Sequence, residues 1–444
     1  MNILPGFVQR RLNDRPNLQK IIDNIGWLFI ERGVRLGIGL FVGVWLARYL
    51  GPEQFGLFSY ATAFVALYGA LASLGLNGIV VRELVKKPEY SNDILGSAFV
   101  LRLLSGLAAL GLAIASVIYL RAEDTLSRSL VAILGLSLVV KSSDIIRYWF
   151  ESRVHSRYVV WVETGVFLSI SAVKVIMIIQ EAPLIVFVWL VLAEAVLVSI
   201  GLSVMYLKRT GTLTSWSPSL IRAKTLFKDA WPLAMSGIAI MIYMRIDQIM
   251  LGEMLGNEAV GIYSAAVKIS ELWYMVPVII ASSLFPSIVE TRLKDKHLYG
   301  ERLQSLMNFL VLLALVIAIL ITLGADRITL ILYGDNYSGA ANILAIHVWA
   351  CVFVFLGTAG GKWYLAENLQ RIQLYRTISG AIINICLNII LIPMYGGVGA
   401  AIATVTSYTF AAYIMDASSK STRHLFWLKT RAIFPGPFII LFKR

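Results

Sequence analysis

The sequence predicts an all-α integral membrane protein with about twelve transmembrane helices, arranged in two lobes of six. Composition, recurring apolar runs and the distribution of positive charge all support this fold class. Of 444 residues, 58% are hydrophobic and only 15% are charged, and mean hydropathy is +0.76. Soluble domains are about 45–50% apolar and about 25% charged. A water-soluble fold could not bury so much apolar surface, so lipid must be the solvent for most of this chain.

Apolar runs of about 20 residues, long enough to cross a hydrocarbon core of about 30 Å as a helix, recur along the whole chain. The first six predicted spans are 24–49, 56–80, 95–120, 130–150, 159–179 and 184–207. The second six are 230–250, 260–289, 306–323, 343–364, 374–394 and 398–415. The polar connection 208–229 therefore predicts lobes at residues 1–207 and 230–416. A basic cytoplasmic tail, 417–444, follows them and includes a short interfacial apolar segment.

Positive charge is distributed very unevenly between the two sides of this arrangement. Of 39 Lys and Arg residues, 28 lie in the termini and in alternate connections on one side, whereas the other side has only Arg48, Arg121, Arg128 and Arg327. Positively charged connections remain in the cytoplasm. The pattern predicts a multi-pass protein of the cell (inner or plasma) membrane with both termini cytoplasmic. It also accounts for the net charge of +13 without nucleic acid as a partner.

The sequence has no motif typical of catalysis, metal binding or a cofactor. Cys351 and Cys386 lie inside apolar runs, and the four histidines are scattered. The segment 357–363 is similar to a phosphate loop, but it lacks the glycine and the hydroxyl residue that such a loop needs. The outer connections are too short for an external catalytic domain. We therefore predict a protein that is not an enzyme, with no catalytic residue, metal or cofactor.

An internal repeat relates the two predicted lobes. Residues 50–59, LGPEQFGLFS, and residues 255–264, LGNEAVGIYS, both fit the pattern L-G-x-E-x-φ-G-φ-aromatic-S. Six predicted spans separate the two segments, so the lobes have the same orientation. This predicts a pseudo-two-fold axis along the membrane normal, as in transporters built from parallel repeats.

The motifs, taken in order, resemble the polysaccharide flippases of the multidrug/oligosaccharidyl-lipid/polysaccharide exporter superfamily, which include O-antigen and teichuronic-acid exporters. They are ARYLGPEQFG at 47–56, LGL at 74–76 with REL at 82–84, DQIMLG at 247–252, VGIYSAA at 260–266 and IPMYGGVGAAIA at 392–403. The resemblance implies a flippase that carries an undecaprenyl-diphosphate-linked oligosaccharide from the cytoplasmic to the outer face by alternating access, for surface polysaccharide biosynthesis. It further implies a lipid-linked glycan and membrane lipid as partners, with a polysaccharide polymerase or glycosyltransferases as additional candidates.

Charged residues within the predicted spans are candidates for the transport path. The bases are Arg32, Arg35, Arg102, Lys141, Lys174, Arg245 and Lys268, and the acids are Glu31, Asp144, Glu163, Glu194, Asp247 and Glu271. An ionised group at the bilayer centre costs about 2.5–3.5 kcal/mol on insertion scales, so such groups face protein or water. Thirteen of them predict a wet, charged interior.

A diphosphate needs several converging cations, and the guanidinium fork of arginine binds phosphate oxygens in pairs. We therefore expect substrate binding at a set of bases on several helices: Arg32, Arg35, Arg102, Arg245 and Lys268. For three of the intramembrane bases, ion pairing on one helix face remains an alternative. These pairs are Glu31 with Arg35, Lys141 with Asp144, and Lys268 with Glu271. For Arg32 and Arg102, pairing across helices is the alternative.

Coupling of transport to an ion requires a titratable or ion-binding group in the path. Glu194, alone in the apolar run of the sixth span, Asp247 and Glu163 are the candidates. A structural acid that is hydrogen-bonded to a neighbouring helix is the alternative for each.

Two other functions remain open on the sequence. A cation-coupled multidrug exporter of the same superfamily would have an acid-dominated cavity, whereas this chain has seven bases and six acids in its spans. A membrane glycan polymerase or ligase would place a large catalytic loop outside, and the short outer connections disfavour one.

Overall fold

The computed structural model describes residues 16–434 apart from 211, 213 and 368. It describes side chains from Gly33 onward, apart from those at 210, 285–287, 293 and 296. The first eight helices are α1 Pro16–Ser73, α2 Leu76–Lys86, α3 Ser91–Leu120, α4 Thr125–Val140, α5 Ile145–Ser152, α6 Ser156–Ile179, α7 Leu184–Thr210 and α8 Leu220–Met254. The other seven are α9 Asn257–Glu271, α10 Met275–Lys294, α11 Lys296–Tyr333, α12 Ala340–His347, α13 Ala350–Ala366, α14 Gln370–Ala412 and α15 Arg423–Ile433. No strand occurs in the described part of the chain, which confirms the all-α prediction.

Ten continuous helical segments in the described residues are long and apolar enough to cross a membrane. This count differs from the predicted twelve because two pairs of predicted spans are each merged into one helix. Spans one and two lie in Gly33–Lys86, and spans eleven and twelve lie in Gln370–Ala417. In each case the backbone leaves the helical conformation at one glycine, Gly51 in α1 and Gly396 in α14.

The repeated L-G-x-E motifs adopt the same backbone conformation. Gly51 has φ 71° and ψ 171°, and Gly256, before α9, has φ 90° and ψ −179°. This region of backbone space is accessible essentially to glycine alone. The glycine in each motif is therefore required by the turn that starts the following helix.

The second glycine of each motif makes a close backbone contact. A Cβ on Gly56 would lie 1.7 Å from the carbonyl oxygen of Asn257, and one on Gly261 would lie 1.9 Å from that of Pro52. Asn257 and Pro52 are equivalent positions of the two repeats. The two segments thus pack on each other reciprocally, as a local two-fold relation requires, and only glycine allows them to approach so closely.

Helix packing divides the chain into two compact units. Unit 1 consists of the residues up to Tyr49 with Ala61–Ile238, and unit 2 consists of Leu50–Tyr60 with Ala239–Arg444. The boundary between the two units therefore lies after Ile238 and not in the polar connection 208–229. In addition, Leu50–Tyr60 belongs to the second unit. Leu50–Tyr60 is assigned to unit 2 because the first repeated motif, which it contains, packs against the second repeated motif.

The C-terminal helix α15 is anchored in unit 2 by a buried ion pair. Lys429 is fully buried, and its Nζ lies 2.5 Å from Asp416 Oδ2 and 2.6 Å from the carbonyl oxygen of Ala412. Tyr364 donates to the other carboxylate oxygen of Asp416 at 2.5 Å, and Arg376 lies 3.5 Å from it. The start of the predicted basic tail is therefore a docked helix. The predicted interfacial segment lies mostly outside the described residues.

Candidate functional site

A charged cavity in unit 1 forms where the fourth predicted span is broken. The sequence Lys141-Ser-Ser-Asp144 interrupts an apolar run, and these residues form a short 3₁₀ turn between α4 and α5. Serine and aspartate side chains compete for backbone hydrogen bonds and so weaken a helix interior. Ser143 does this here, because its hydroxyl donates to the carbonyl oxygen of Val140 at 3.0 Å.

The cavity has a volume of about 370 Å³. Six charged side chains line it: Arg35 of α1, Lys141 and Asp144 of the turn, Arg147 of α5, Glu163 of α6 and Glu194 of α7. Ser137 and Ser143 add hydroxyl groups to the lining. Four separate parts of the chain, namely α1, the turn with the adjoining α5, α6 and α7, therefore bring ionic groups to one polar site.

The acids of the cavity are shared among several bases. Glu163 pairs with Arg147 and lies 3.9 Å from Arg35. Glu194 lies 3.5 Å from Lys174 and 3.9 Å from Arg35. Arg35 is thus placed between two carboxylates at long range, and its side chain is 39% exposed. The guanidinium also lies over the Phe167 ring, 5.0 Å from its centroid, which holds its plane in place.

Lys141 is the cavity base that lacks an acidic partner within ion-pair distance among the described residues. Its side chain is exposed to the cavity, whereas the neighbouring Asp144 pairs with Arg102 at 3.2 Å. The pairing of Lys141 with Asp144 that helical spacing suggested does not form, because the chain leaves the α-helical path between them.

Arg147 is a second cavity residue that was not among the predicted binding residues. Arg147 lies near the end of the predicted span 130–150, and the charge count assigned it to the 28 bases of the cytoplasmic side. The structure places it in α5, within the segment Thr125–Ser152, which is long and apolar enough to cross a membrane. In the sequence, only the short distance of Arg147 from Lys141 and Asp144 suggested that it belongs to the same site. Which of these side chains share a face depends on the turn that breaks the helix, and the sequence did not predict that turn.

The predicted binding residues of unit 1 have different environments. Arg35 lines the cavity, whereas Arg102 is buried and is not part of the lining. Arg102 donates hydrogen bonds to Tyr148 and Asp144, which is the cross-helix pairing that the sequence left open. The side chain of Arg32 lies outside the described residues.

The other two predicted binding residues, Arg245 and Lys268, belong to unit 2. Arg245 lies 3.3 Å from Glu271, so the carboxylate that was expected to pair with Lys268 on one helix pairs with an arginine of another helix. Lys268 is half-buried on α9.

Asp247 of α8 is the acid of a buried polar cluster in unit 2. Its carboxylate accepts hydrogen bonds from Tyr263 at 2.7 Å, from Asn388 at 2.6 Å and from Thr404. Asn384 continues the cluster, since its Oδ1 accepts from Asn388 at 3.3 Å. Asn388 Oδ1 is buried and has no hydrogen-bond donor within the part of the chain that the structure describes. The cluster therefore combines a carboxylate with an unsatisfied amide oxygen, which are ligand types suited to a small hard cation or a proton.

Comparison with known proteins places the chain in a family. The profile of the polysaccharide biosynthesis protein family matches residues 21–292, and the MatE profile matches residues 232–390. The chain is 24% identical over 390 residues to the probable low-salt glycan biosynthesis flippase Agl15 of Haloferax volcanii, with 84% of this chain and 78% of that protein covered. It is 32% identical over 207 residues to the probable flippase AglR of the same organism, covering 45% of this chain and 42% of that protein.

Two solved structures have a similar fold. The lipid II flippase MurJ in an inward closed conformation has a TM-score of 0.70 at 16% identity, covering 95% of this chain and 92% of that one. An inward-facing multidrug resistance MATE family transporter of the MOP superfamily has a TM-score of 0.69 at 16% identity, covering 90% and 94%. These relatives are flippases and transporters, in agreement with the expectation of a protein that is not an enzyme. The chain belongs to the polysaccharide biosynthesis protein family of the multidrug/oligosaccharidyl-lipid/polysaccharide exporter superfamily and is a multi-pass membrane transporter.

Proposed function

We propose that this protein is a flippase that moves an undecaprenyl-diphosphate-linked oligosaccharide from the cytoplasmic to the outer face of the cell membrane by alternating access. The charged cavity of unit 1 is the observation that carries the proposal. Its polar lining suits a headgroup with phosphates and sugar hydroxyls, and its position among apolar helices suits a polyprenyl tail that stays in lipid.

Charge around the cavity favours an anionic substrate. The cavity lining itself holds three bases and three acids, and two further bases outside the lining, Arg102 and Lys174, pair with its acids Asp144 and Glu194. Counted together, this network of ionic groups has five bases, Arg35, Arg102, Lys141, Arg147 and Lys174, and three acids, Asp144, Glu163 and Glu194. The bases are in excess, and Lys141 faces the cavity without an acidic partner among the described residues. A drug exporter that takes up cations would have the opposite balance. This network therefore supports a phosphate-bearing substrate over the cation-coupled drug exporter.

Arg35 is the residue that we expect to exchange partners during transport. Its two carboxylate neighbours are both 3.9 Å away, longer than the pairs of Glu194 with Lys174 and of Glu163 with Arg147. An entering diphosphate offers closer oxygens that the guanidinium fork can bind two at a time. Protonation of Glu194 or Glu163 would weaken their hold on Arg35 further. These two acids thereby become candidates for coupling substrate binding to a proton.

Asp247 offers a second means of coupling, in unit 2. Its carboxylate, together with the unsatisfied amide oxygen of Asn388, would hold a proton or a small cation. Arg245 lies two residues before Asp247 on α8, so occupation of this cluster would influence a base that we propose to bind substrate in this unit.

Purified protein in liposomes tests the proposal through movement of a fluorescent undecaprenyl-diphosphate oligosaccharide, measured by quenching from outside. Arg35→Gln should reduce the rate at least tenfold. Arg35→Lys should reduce it less but measurably, because lysine retains the charge and loses the bidentate fork. Arg48→Gln is the matched control, since Arg48 lies on the same helix and is exposed outside the cavity. An unchanged rate in Arg35→Gln would contradict the assigned role, and no movement by the native protein would contradict the function.

A further inference from the structure

Two arginines of unit 1, outside the charged cavity, converge on a single tyrosine hydroxyl. Arg157, in the first turn of α6, donates to Tyr158 Oη at 2.7 Å, and Arg209, near the end of α7, donates to the same oxygen. Their guanidinium carbons lie 4.7 Å and 4.4 Å from the centroid of the Tyr158 ring. Both guanidinium groups are therefore oriented by the same ring through hydrogen bonding and cation–π attraction.

Tyr158 is a rigid support for this pair. Its side chain is buried in the hydrophobic core of unit 1, and its ring packs against Phe150 at 5.9 Å and Trp161 at 5.9 Å. Both arginines, in contrast, are exposed. The buried Tyr158 side chain therefore holds two exposed guanidinium groups in a fixed position.

The electrostatics of the pair are unfavourable without an anion. Neither Arg157 nor Arg209 has an acidic partner within 4.0 Å among the described residues, although two like charges share one acceptor. Arg157 also lies at the N-terminus of the 24-residue helix α6, where the helix dipole adds positive potential. A ligand with two negative charges would neutralise both groups at once, and the planar forks suit phosphate oxygens.

A separate cavity, whose lining does not include Arg157, Tyr158 or Arg209, is linked to Tyr158 by ring contacts. Phe150 packs against both Tyr158 and Trp149, and a third stacked arginine, Arg153, lies 4.7 Å from the Trp149 centroid. Arg153 lines this cavity of about 350 Å³ together with Asn92, Ser215 and the acidic Glu89. Amide and hydroxyl groups of this kind suit the hydroxyl groups of a sugar.

We propose that Arg157, Arg209 and Tyr158 form a binding site for the diphosphate of a lipid headgroup, at the face that the charge distribution predicts to be cytoplasmic. The site is separate from the Arg35 cavity and would receive the substrate before it enters the transport path. The identity of the lipid rests on the proposed function, whereas the affinity for diphosphate rests on the geometry of these three residues alone.

Chemical modification of arginine measures occupation of this site directly. The full-length protein in nanodiscs is treated with phenylglyoxal, and adducts at each arginine are counted by mass spectrometry. We expect farnesyl diphosphate to reduce adduct formation at Arg157 and Arg209 at least tenfold, with no protection of Arg423, an exposed arginine of α15. Nanodiscs with phosphatidylglycerol in place of phosphatidylcholine supply a monoanionic lipid, and inorganic pyrophosphate supplies the free anion.

Each outcome decides the proposal. Protection by farnesyl diphosphate at concentrations at least tenfold below those of pyrophosphate supports a lipid diphosphate site. Equal protection by pyrophosphate supports the diphosphate chemistry but identifies a soluble anion as the ligand. Protection by phosphatidylglycerol alone, or none at all, overturns the proposal. Tyr158→Phe retains the ring and should weaken protection at least threefold. Because the readout is local to Arg157 and Arg209, its failure leaves the transport test of Arg35 unaffected.

Discussion

Replacing Gly261 by alanine should weaken the packing of unit 2 through the contact between the repeated motifs. The new Cβ would lie 1.9 Å from the carbonyl oxygen of Pro52, where contacts below 3.0 Å are essentially never observed. The two helices would have to separate by roughly 1 Å, and a gap of that size loses a quarter to a half of each dispersion contact along the interface. The clash is with backbone, which cannot rotate away.

The expected cost is therefore at the upper end of the range for overpacking, about 3 kcal/mol. For a unit of this size that corresponds to a fall of roughly 6–12 °C in apparent melting temperature. The assay is size-exclusion chromatography of a fluorescent fusion after heating in detergent. Gly78→Ala is the matched control, since a Cβ on Gly78 meets nothing within 4 Å. Because alanine is the better helix former, the control should stabilise α2 by about 0.5–1 kcal/mol.

The double variant Gly56→Ala, Gly261→Ala gives a sharper test. Both new methyl groups enter the same helix contact, so the separation forced by the first makes room for the second. The double variant should cost clearly less than the sum of the single variants, as expected for sites that share an interface. Full additivity, or a Gly261→Ala protein as stable as the Gly78→Ala protein, would refute the close contact.

Three further predictions follow from the ionic groups. Arg102→Met should destabilise unit 1 by about 3–5 kcal/mol because it leaves Asp144 without its partner; the double change with Asp144→Asn should recover much of this in the same heating assay, and a lack of recovery would contradict the pairing. Burial lowers the pKa of Lys429 from 10.5 to about 8. Between those values the unfolded lysine holds a proton that the folded one lacks, so stability should rise with pH across that window. Lys429→Met should abolish the rise in melting temperature between pH 8 and 10, and an unchanged rise would assign it to other groups. The 28-to-4 charge distribution predicts that a C-terminal alkaline phosphatase fusion is inactive and a fluorescent-protein fusion is active; the reverse pattern would contradict the topology.

The membrane class, the positions of most spans and the repeat could be predicted from the sequence because they depend on local or periodic properties. Mean hydropathy over a window decides whether a segment enters lipid, and the two L-G-x-E motifs appear in the sequence itself. Arg35 was predicted as an intramembrane base because a charge within an apolar run has few alternatives to a polar interior, and the structure places it in the lining of the charged cavity. Its role in binding substrate stays a prediction.

Partners of the charged residues could not be predicted, because they depend on contacts between distant segments. Helical spacing suggested pairing of Lys141 with Asp144, but a short turn replaces the α-helix there and Asp144 pairs with Arg102 instead. The charge count assigned Arg147 to the cytoplasmic side, whereas the structure places its side chain in the cavity lining.

Hydropathy by itself determined that this chain lies in the membrane, since the cost of moving each group from water to lipid is a property of short segments, whereas the orientation indicated by the charge counts stays a prediction. The tertiary structure decided which charged groups line a cavity, as Arg35 does, and which are buried in an ion pair, as Arg102 is with Asp144. The same distinction holds for Arg157 and Arg209, whose convergence on Tyr158 depends on the packing of α6 against α7. An ionic group takes its role from neighbours within a few ångströms, and only the folded chain brings those neighbours together.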